Sequence, residues 1–357
     1  MRDSQQSTAT VGRKRLGAPP VPATREPLGA RQPDAIRSID PSRNPHRIPA
    51  PASINWSSIQ WPYVIGVGAY HAIAMLALLP WFFSWSGVAL AFVSLYCCAT
   101  LGINLCYHRL LTHQGLVVPK WLEHTWAILG VCSMQDTPAR WVAVHRMHHQ
   151  YSDEQPDPHS PLVTFLWGHM GWLFVENKEL ARLSAFERYS RDVLRDPFYL
   201  RLERNWLWVW INLAQAGLVY LAGFAIGWAM SGRIMGGVQF GASLMVWGVA
   251  VRTVYAWHAT WSVNSVAHMW GYQTYATNEN SRNNWLVALA TNGEGWHNNH
   301  HADQRSARHG HRWFELDVTW ITICILKAVG LAREVVPPNV KILEPIAVGG
   351  RGEREAA

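Results

Sequence analysis

The sequence predicts an all-α membrane protein: four transmembrane helices in two hairpins, with a cytosolic helical cap. Three observations predict it. Charged residues make up 15% of the 357-residue chain, against roughly 25% in a typical soluble domain. Long stretches carry no charge at all: residues 48–108, 205–232, 234–251 and 253–278 contain no Asp, Glu, Lys or Arg. The 21 Trp suit the aromatic belts found at membrane–water boundaries.

A spanning helix needs about 20 mostly apolar residues. The first charge-free stretch accommodates two spans, at about residues 62–84 and 87–107, turning near Ser84-Trp85-Ser86-Gly87. The third span covers about residues 206–230 and the fourth about 235–261. Arg252 falls inside the fourth. A guanidinium is costly in lipid, so it is expected to face protein or reach toward the boundary. Three other apolar runs, 121–134, 162–175 and 318–331, are too short or too interrupted to span. They read as helices lying in the interface or packed on the cytosolic side.

The positive charges orient the chain. The segments before span one, between spans two and three, and after span four carry 9, 11 and 9 of the 31 Lys and Arg. Two hairpins put all three on one side, which the positive-inside rule makes the cytoplasm. Residues 1–54 read as a disordered proline-rich arm, 55–335 as the membrane domain and 336–357 as a tail. The arm has no apolar core of a secretory signal. The five Cys (Cys97, Cys98, Cys106, Cys132, Cys324) form no CxxC pair and read as small hydrophobes. The composition excludes a disulfide scaffold, a mostly disordered chain and a nucleic-acid binder built on a dense basic domain.

The histidines carry the chemistry. His108 and His113 form HRLLTH; His145, His148 and His149 form HRMHH; His297, His300 and His301 form HNNHH; Asn264 and His268 form NSVAH. Positions i, i+3 and i+4 share a helix face, so each HxxHH box is expected to aim its three imidazoles at one place. On a regular helix His108 and His113 lie about 140° apart, so they would flank a metal pair. Nine convergent imidazoles exceed what one ion accepts, and two ions are the simple solution. All-nitrogen ligation suits Fe, Zn, Cu or Ni rather than Mg or Ca. His71 and His258, inside the spans, read as packing residues, and no second intramembrane pair supports a haem. His46, His124, His309 and His311 read as surface residues, while His159 and His169 lie close behind the second box.

With these residues in view, HRLLTH, HRMHHQYSDEQPDPH and GEGWHNNHH, with NSVAH between the last two, resemble the membrane fatty-acyl desaturase family. The likeness is to its Δ9 branch of stearoyl-CoA, bacterial and cyanobacterial enzymes. It covers about residues 60–335, and RDVLRDPFYLRLE resembles the bacterial members. The resemblance implies a di-iron centre with His108, His113, His145, His148, His149, His268, His297, His300 and His301 as ligands and Asn264 acting through water. It implies O2-dependent formation of a cis double bond in a saturated acyl chain, with no catalytic residue beyond the metal centre. Two electrons per turnover must come from a separate donor, of ferredoxin or cytochrome b5 type with its reductase. The chain itself shows no nucleotide fingerprint and no HPGG motif. Its basic cytosolic surface is the expected docking face. Similar boxes occur in di-iron alkane or sterol hydroxylases. A third reading is a non-enzymatic membrane metal-binding or transport protein, whose sites usually lie near mid-membrane.

Ligating His usually gives its other N–H to a carboxylate, and Asp157 and Glu294 are placed for this, with Asp153 and Glu154 nearer the second box. The mammalian acyl-CoA enzymes carry charged pairs where this chain has Ala143-Val144 and Glu176-Asn177. Their loss favours an acyl-lipid over acyl-CoA. Gln135, Asp136 and Arg140 are expected headgroup contacts. Phe92 and Tyr96, three to four turns before His108, are expected at the closed end of the acyl tunnel.

Overall fold

A computed structural model describes residues 47–181 and 183–339. Most of the expected arm, the tail from 340 onward and His46 lie outside the described residues. The chain is mostly helical, and four helices are long and apolar enough to cross a membrane: α1 (Trp61–Leu78), α2 (Trp85–Thr112), α6 (Leu207–Ser231) and α7 (Ile234–His268). Between and after them lie α3 (Lys120–Val131), α4 (Pro138–Tyr151), α5 (Phe165–His169), α8 (Trp285–Ala290), α9 (His297–Ala302) and α10 (Val318–Ala328). One departure from an all-α chain is a small antiparallel sheet of β1 (Ile54–Ile59) and β2 (Val175–Asn177). β1 directly precedes α1, and β2 begins at Val175, where the apolar run expected as a helix over 162–175 ends; that run is helical only over Phe165–His169 and a short turn at Gly171–Leu173.

Local sequence explains the ends of these helices. Ser84 caps α2 by accepting from Gly87 N at 2.9 Å, and Thr137 with Pro138 starts α4. Asn284 caps α8 and Asp317 caps α10. Gly232, at φ +66°, closes α6 in the left-handed region that glycine alone adopts freely. The turn then leads straight into α7. Gly223 and Gly227 on α6 face Gly241 and Gly236 on α7, and a Cβ at Gly223, Gly227 or Gly241 would collide with the facing backbone. These small residues let the two helices pack against each other closely.

The π-wide turns of α2 decide where the first histidine motif points. From Tyr96 to Thr112 the helix widens to i→i+5 hydrogen bonding, and His113 N donates to His108 O at 3.1 Å. Residues five apart therefore stack on one side, not about 140° apart as on a regular helix. The core beneath this segment is built from Ile103, Leu105, Tyr107, Leu110, Ala127, Val142 and Ile323. Gly102 meets Gly130 backbone to backbone, which locks α3 onto α2. Arg252 faces protein as expected: it is 1% exposed and donates to Cys132 O (2.7 Å), Gly248 O and Gln215 Oε1. The run at 121–134 is α3, packed on α2, and the run at 318–331 is α10.

Candidate metal centre

Nine imidazoles meet in two groups. His108, His113, His145, His149 and His300 form one; His148, His268, His297 and His301 form the other. Within each group the facing atoms lie within 4.8 Å of one another. Both HxxHH boxes divide between the groups, which corrects the expectation that each box serves one place. On a helix, i+4 returns to within about 40° of i, while i+3 falls about 60° to the other side. So α4 sends His145 and His149 one way and His148 the other. From α9, His297 and His301 stay together and His300 crosses.

Carboxylates hold the backs of three rings. Glu294 Oε2 accepts from His108 Nδ1 at 2.6 Å, Asp157 from His148 Nδ1 at 3.0 Å, and Asp153 from His268 Nδ1 at 2.9 Å. Each such bond fixes the proton on Nδ1 and leaves Nε2 as a bare lone pair turned inward. Burial works against the Glu294 carboxylate, but Arg109, His309 and His108 hold its pKa well below the usual range. The same contest leaves Asp153 and Asp157 depressed, with His268 and His148 as their main charge partners. Burial and neighbouring imidazoles push His113, His145, His149, His297, His300 and His301 well below their ordinary value. At neutral pH these rings are uncharged and free to act as ligands.

The arrangement fits metal ions better than hydrogen bonds. A ring nitrogen offers one proton or one lone pair. Yet His300 Nε2 lies 3.1 Å from His108 Nε2 and 3.0 Å from His149 Nε2. His297 Nε2 lies 2.9 Å from His268 Nε2 and 3.1 Å from His301 Nε2. His113 Nε2 and His148 Nε2 are buried with no hydrogen-bond partner. A cation in each group satisfies all of these lone pairs at once, and an all-imidazole set selects a transition metal.

Several residues escaped sequence reading. Arg109 is fully buried, donating to both carboxylate oxygens of Asp317 at 3.0 Å and to Glu294 Oε1 at 2.8 Å. It ties the first motif to the chain around the third. Its only signal was a charge at the end of the longest charge-free stretch. His309, expected on the surface, is 0% exposed, with Nδ1 3.3 Å from Glu294 Oε2. His311, also expected there, is half-buried with Nδ1 3.0 Å from Tyr275 Oη. The loop leading to Asp317 folds back under α9 and buries them, which local polarity does not reveal. His124 is partly exposed and bonds Asp196 at 2.9 Å. Glu294 serves His108 from another motif rather than its neighbour His297.

A cavity of about 340 Å³ reaches the histidines. Trp141, Trp172, Trp206, Trp208, Trp257 and Trp261 supply much of its wall, α1 contributes Tyr63, Gly66 and Val67, and His145, His159 and Asn264 also line it. Gln135 and Asp136 line it too; Gln135 donates to Thr260 Oγ1 at 3.2 Å. Asp136 accepts from Tyr63 Oη at 2.8 Å and pairs with Arg140 at 3.3 Å. Phe92 and Tyr96, expected at a tunnel end, do not line this cavity. Phe92 is 70% exposed on the outside of α2, and Tyr96 Oη bonds Thr322 Oγ1 at 2.8 Å. Residues of α1, α7 and the start of α6 line this cavity, and none of α2 does.

A chain with two buried histidine groups, a tryptophan-walled cavity that reaches one of them and four apolar helices has the makings of a membrane metalloenzyme. The fatty acid desaturase family model matches residues 81–319, and the chain belongs to that family. It is accordingly an oxidoreductase that desaturates fatty-acyl chains. The sn-1 stearoyl-lipid 9-desaturase of Synechocystis sp. is 41% identical over 280 residues, 78% of this chain and 81% of that protein. The sn-2 palmitoyl-lipid 9-desaturase of Nostoc sp. is 39% identical, over 81% of this chain and 95% of its own. The acyl-CoA 5-desaturase of Anemone leveillei is 40% identical, over 80% and 82%.

Proposed function

We propose that this chain is an O2-dependent acyl-lipid desaturase that places a cis double bond at position 9 of a saturated acyl chain. The observation that carries the reading is the pair of imidazole groups, five and four rings, with a cavity that reaches His145 of the first group. His108, His113, His145, His149 and His300 would hold one iron. His148, His268, His297 and His301 would hold the other, with Asn264 acting through water. The bound irons supply the redox capacity to reduce O2 while two C–H bonds are broken.

The overall change balances as R–CH2–CH2–R′ + O2 + 2 e⁻ + 2 H⁺ giving R–CH=CH–R′ + 2 H2O. The electrons come from a separate ferredoxin- or cytochrome b5-type donor with its reductase, docking on the basic face. The chain is multi-pass, with two hairpins, a helical cap and the active site on the cytoplasmic side, a reading that the distribution of Lys and Arg supports. Residues 55–335 form the working domain.

The protein's own groups do the positioning. Glu294, Asp157 and Asp153 hold rings in one tautomer. The tryptophan wall excludes water and grips methylenes. Gln135, Asp136 and Arg140, the last paired with Asp136 at 3.3 Å, would meet the lipid headgroup. Two observations favour a lipid over CoA. Ala143 and Val144 are buried apolar residues of α4, and Glu176 and Asn177 pair in the sheet with Asn55 and Ile54. None offers a cation to a phosphate. The names of the two cyanobacterial relatives point the same way.

Expression in a host lacking the activity tests the proposal, with methyl-ester analysis of double-bond position by lipid class. A Δ9 alkene in membrane lipids supports it. An alcohol product or a double bond confined to acyl-CoA overturns it. Gly66 gives a second check on the cavity. A Cβ there meets nothing within 4 Å, so Gly66→Leu should fold and keep its iron while losing about tenfold in turnover of long chains, about 1.4 kcal/mol.

A further inference from the structure

His159, the last residue of the DPH sequence behind the second box, has no part in either histidine group. It is 2% exposed, and its ring packs 4.4 Å from His148 and 5.3 Å from Trp172. It lines the same cavity as Asn264 and His145. Among the described residues its Nδ1 has no hydrogen-bond partner. The nearest carboxylate oxygen, Asp157 Oδ1, is 3.9 Å away. A buried ring nitrogen without a partner loses the hydrogen bond it made in water, so its presence in the cavity wall calls for a ligand.

That ligand is not a third metal ion. Asp157 already accepts from His148 Nδ1, from Asp153 N at 2.9 Å and from the backbone N of His159 at 3.1 Å. A cation among His148, Asp157 and His159 would displace the proton that orients His148 toward its own group. What remains is the cavity side, where a small oxygen species would meet the ring.

We infer that His159 is a positioning residue that hydrogen-bonds a small oxygen ligand, a water in the resting enzyme, at the inner end of the acyl cavity beside Asn264. By holding that ligand next to the acyl methylenes, it keeps reduction of O2 coupled to removal of C–H hydrogens. This rests on the histidine groups being the iron centre and the cavity being the acyl site.

The test compares the purified full-length enzyme with His159→Phe and His159→Gln, the latter keeping an N–H donor. Three quantities are read: iron per chain, affinity of the oxidised centre for azide as a small-ligand probe, and double bonds formed per O2 consumed. His159→Phe should keep both irons, bind azide about tenfold more weakly and form about tenfold fewer double bonds per O2, the loss of one hydrogen bond to a charged ligand. His159→Gln should recover most of both. Unchanged azide affinity and coupling in His159→Phe overturn the inference. So does equal impairment in both variants, which would mean packing alone, and so does loss of iron from both, which would make His159 a ligand. If the Phe variant does not fold, His159→Leu makes the same comparison with Gln. Absence of iron from the unmodified enzyme would instead defeat the reading of the metal centre.

Discussion

Two collections of histidine occupy this protein, and they solve the same problem differently. His71, His258 and His169 form a chain between α1, α7 and α5. His71 Nδ1 donates to Val67 O at 2.7 Å, and the two His–His links are 3.0 Å each. His169 Nδ1 ends the chain on Ser265 Oγ at 2.9 Å. Every ring nitrogen has one partner, and three neutral imidazoles with the Ser265 hydroxyl satisfy every link. In the nine-histidine groups the carboxylates take Nδ1 protons, and Nε2 lone pairs crowd together. Three rings are closed and nine are open. Abundance of histidine does not make a metal site; convergence of lone pairs does.

That contrast sets the order of expected effects. His300→Ala removes the nitrogen between His108 and His149, and should cost the iron of that group and abolish double-bond formation, read by metal analysis and methyl esters. Asp157→Asn or Glu294→Gln should weaken metal binding by about 10–100-fold by releasing a ring tautomer, measured by competition with a chelator. Acid should act on the open groups next. Burial depresses His149, His297 and His300 below the unfolded value of 6.5, so the unfolded chain takes up protons that the fold refuses. The stability of the metal-free protein should be full above that value and fall as pH drops below it, as seen in thermal melts in detergent. The smallest effect belongs to the closed chain: His71→Phe should leave iron content unchanged and cost about 1 kcal/mol of stability.

Much of this was readable in advance, for identifiable reasons. The four apolar helices follow from charge-free stretches, and the turn between the first two from Ser84-Trp85-Ser86-Gly87. The HxxHH spacing put His145, His148 and His149 on one helix. What it hid was the 100° between i+3 and i+4, which splits each box between two groups. The π-wide turns that bring His113 over His108 have no signature in YCCATLGINLCYHRLLT. Pairings across the chain were equally hidden: Asp153 with His268, Glu294 with His108, and Arg109 with Asp317. Each joins segments more than 100 residues apart. Spacing alone also did not reveal that the cavity beside His145 is lined from α1 and not from the turns of α2 that carry Phe92 and Tyr96.

Iron content of the purified chain tests the central claim most directly, measured for the unmodified enzyme, His300→Ala and His297→Ala together. Two groups of ligands predict two irons in the unmodified chain and one in each variant, because each substitution opens a different group. A single iron in the unmodified chain would contradict the account, as would variants that both keep the full complement.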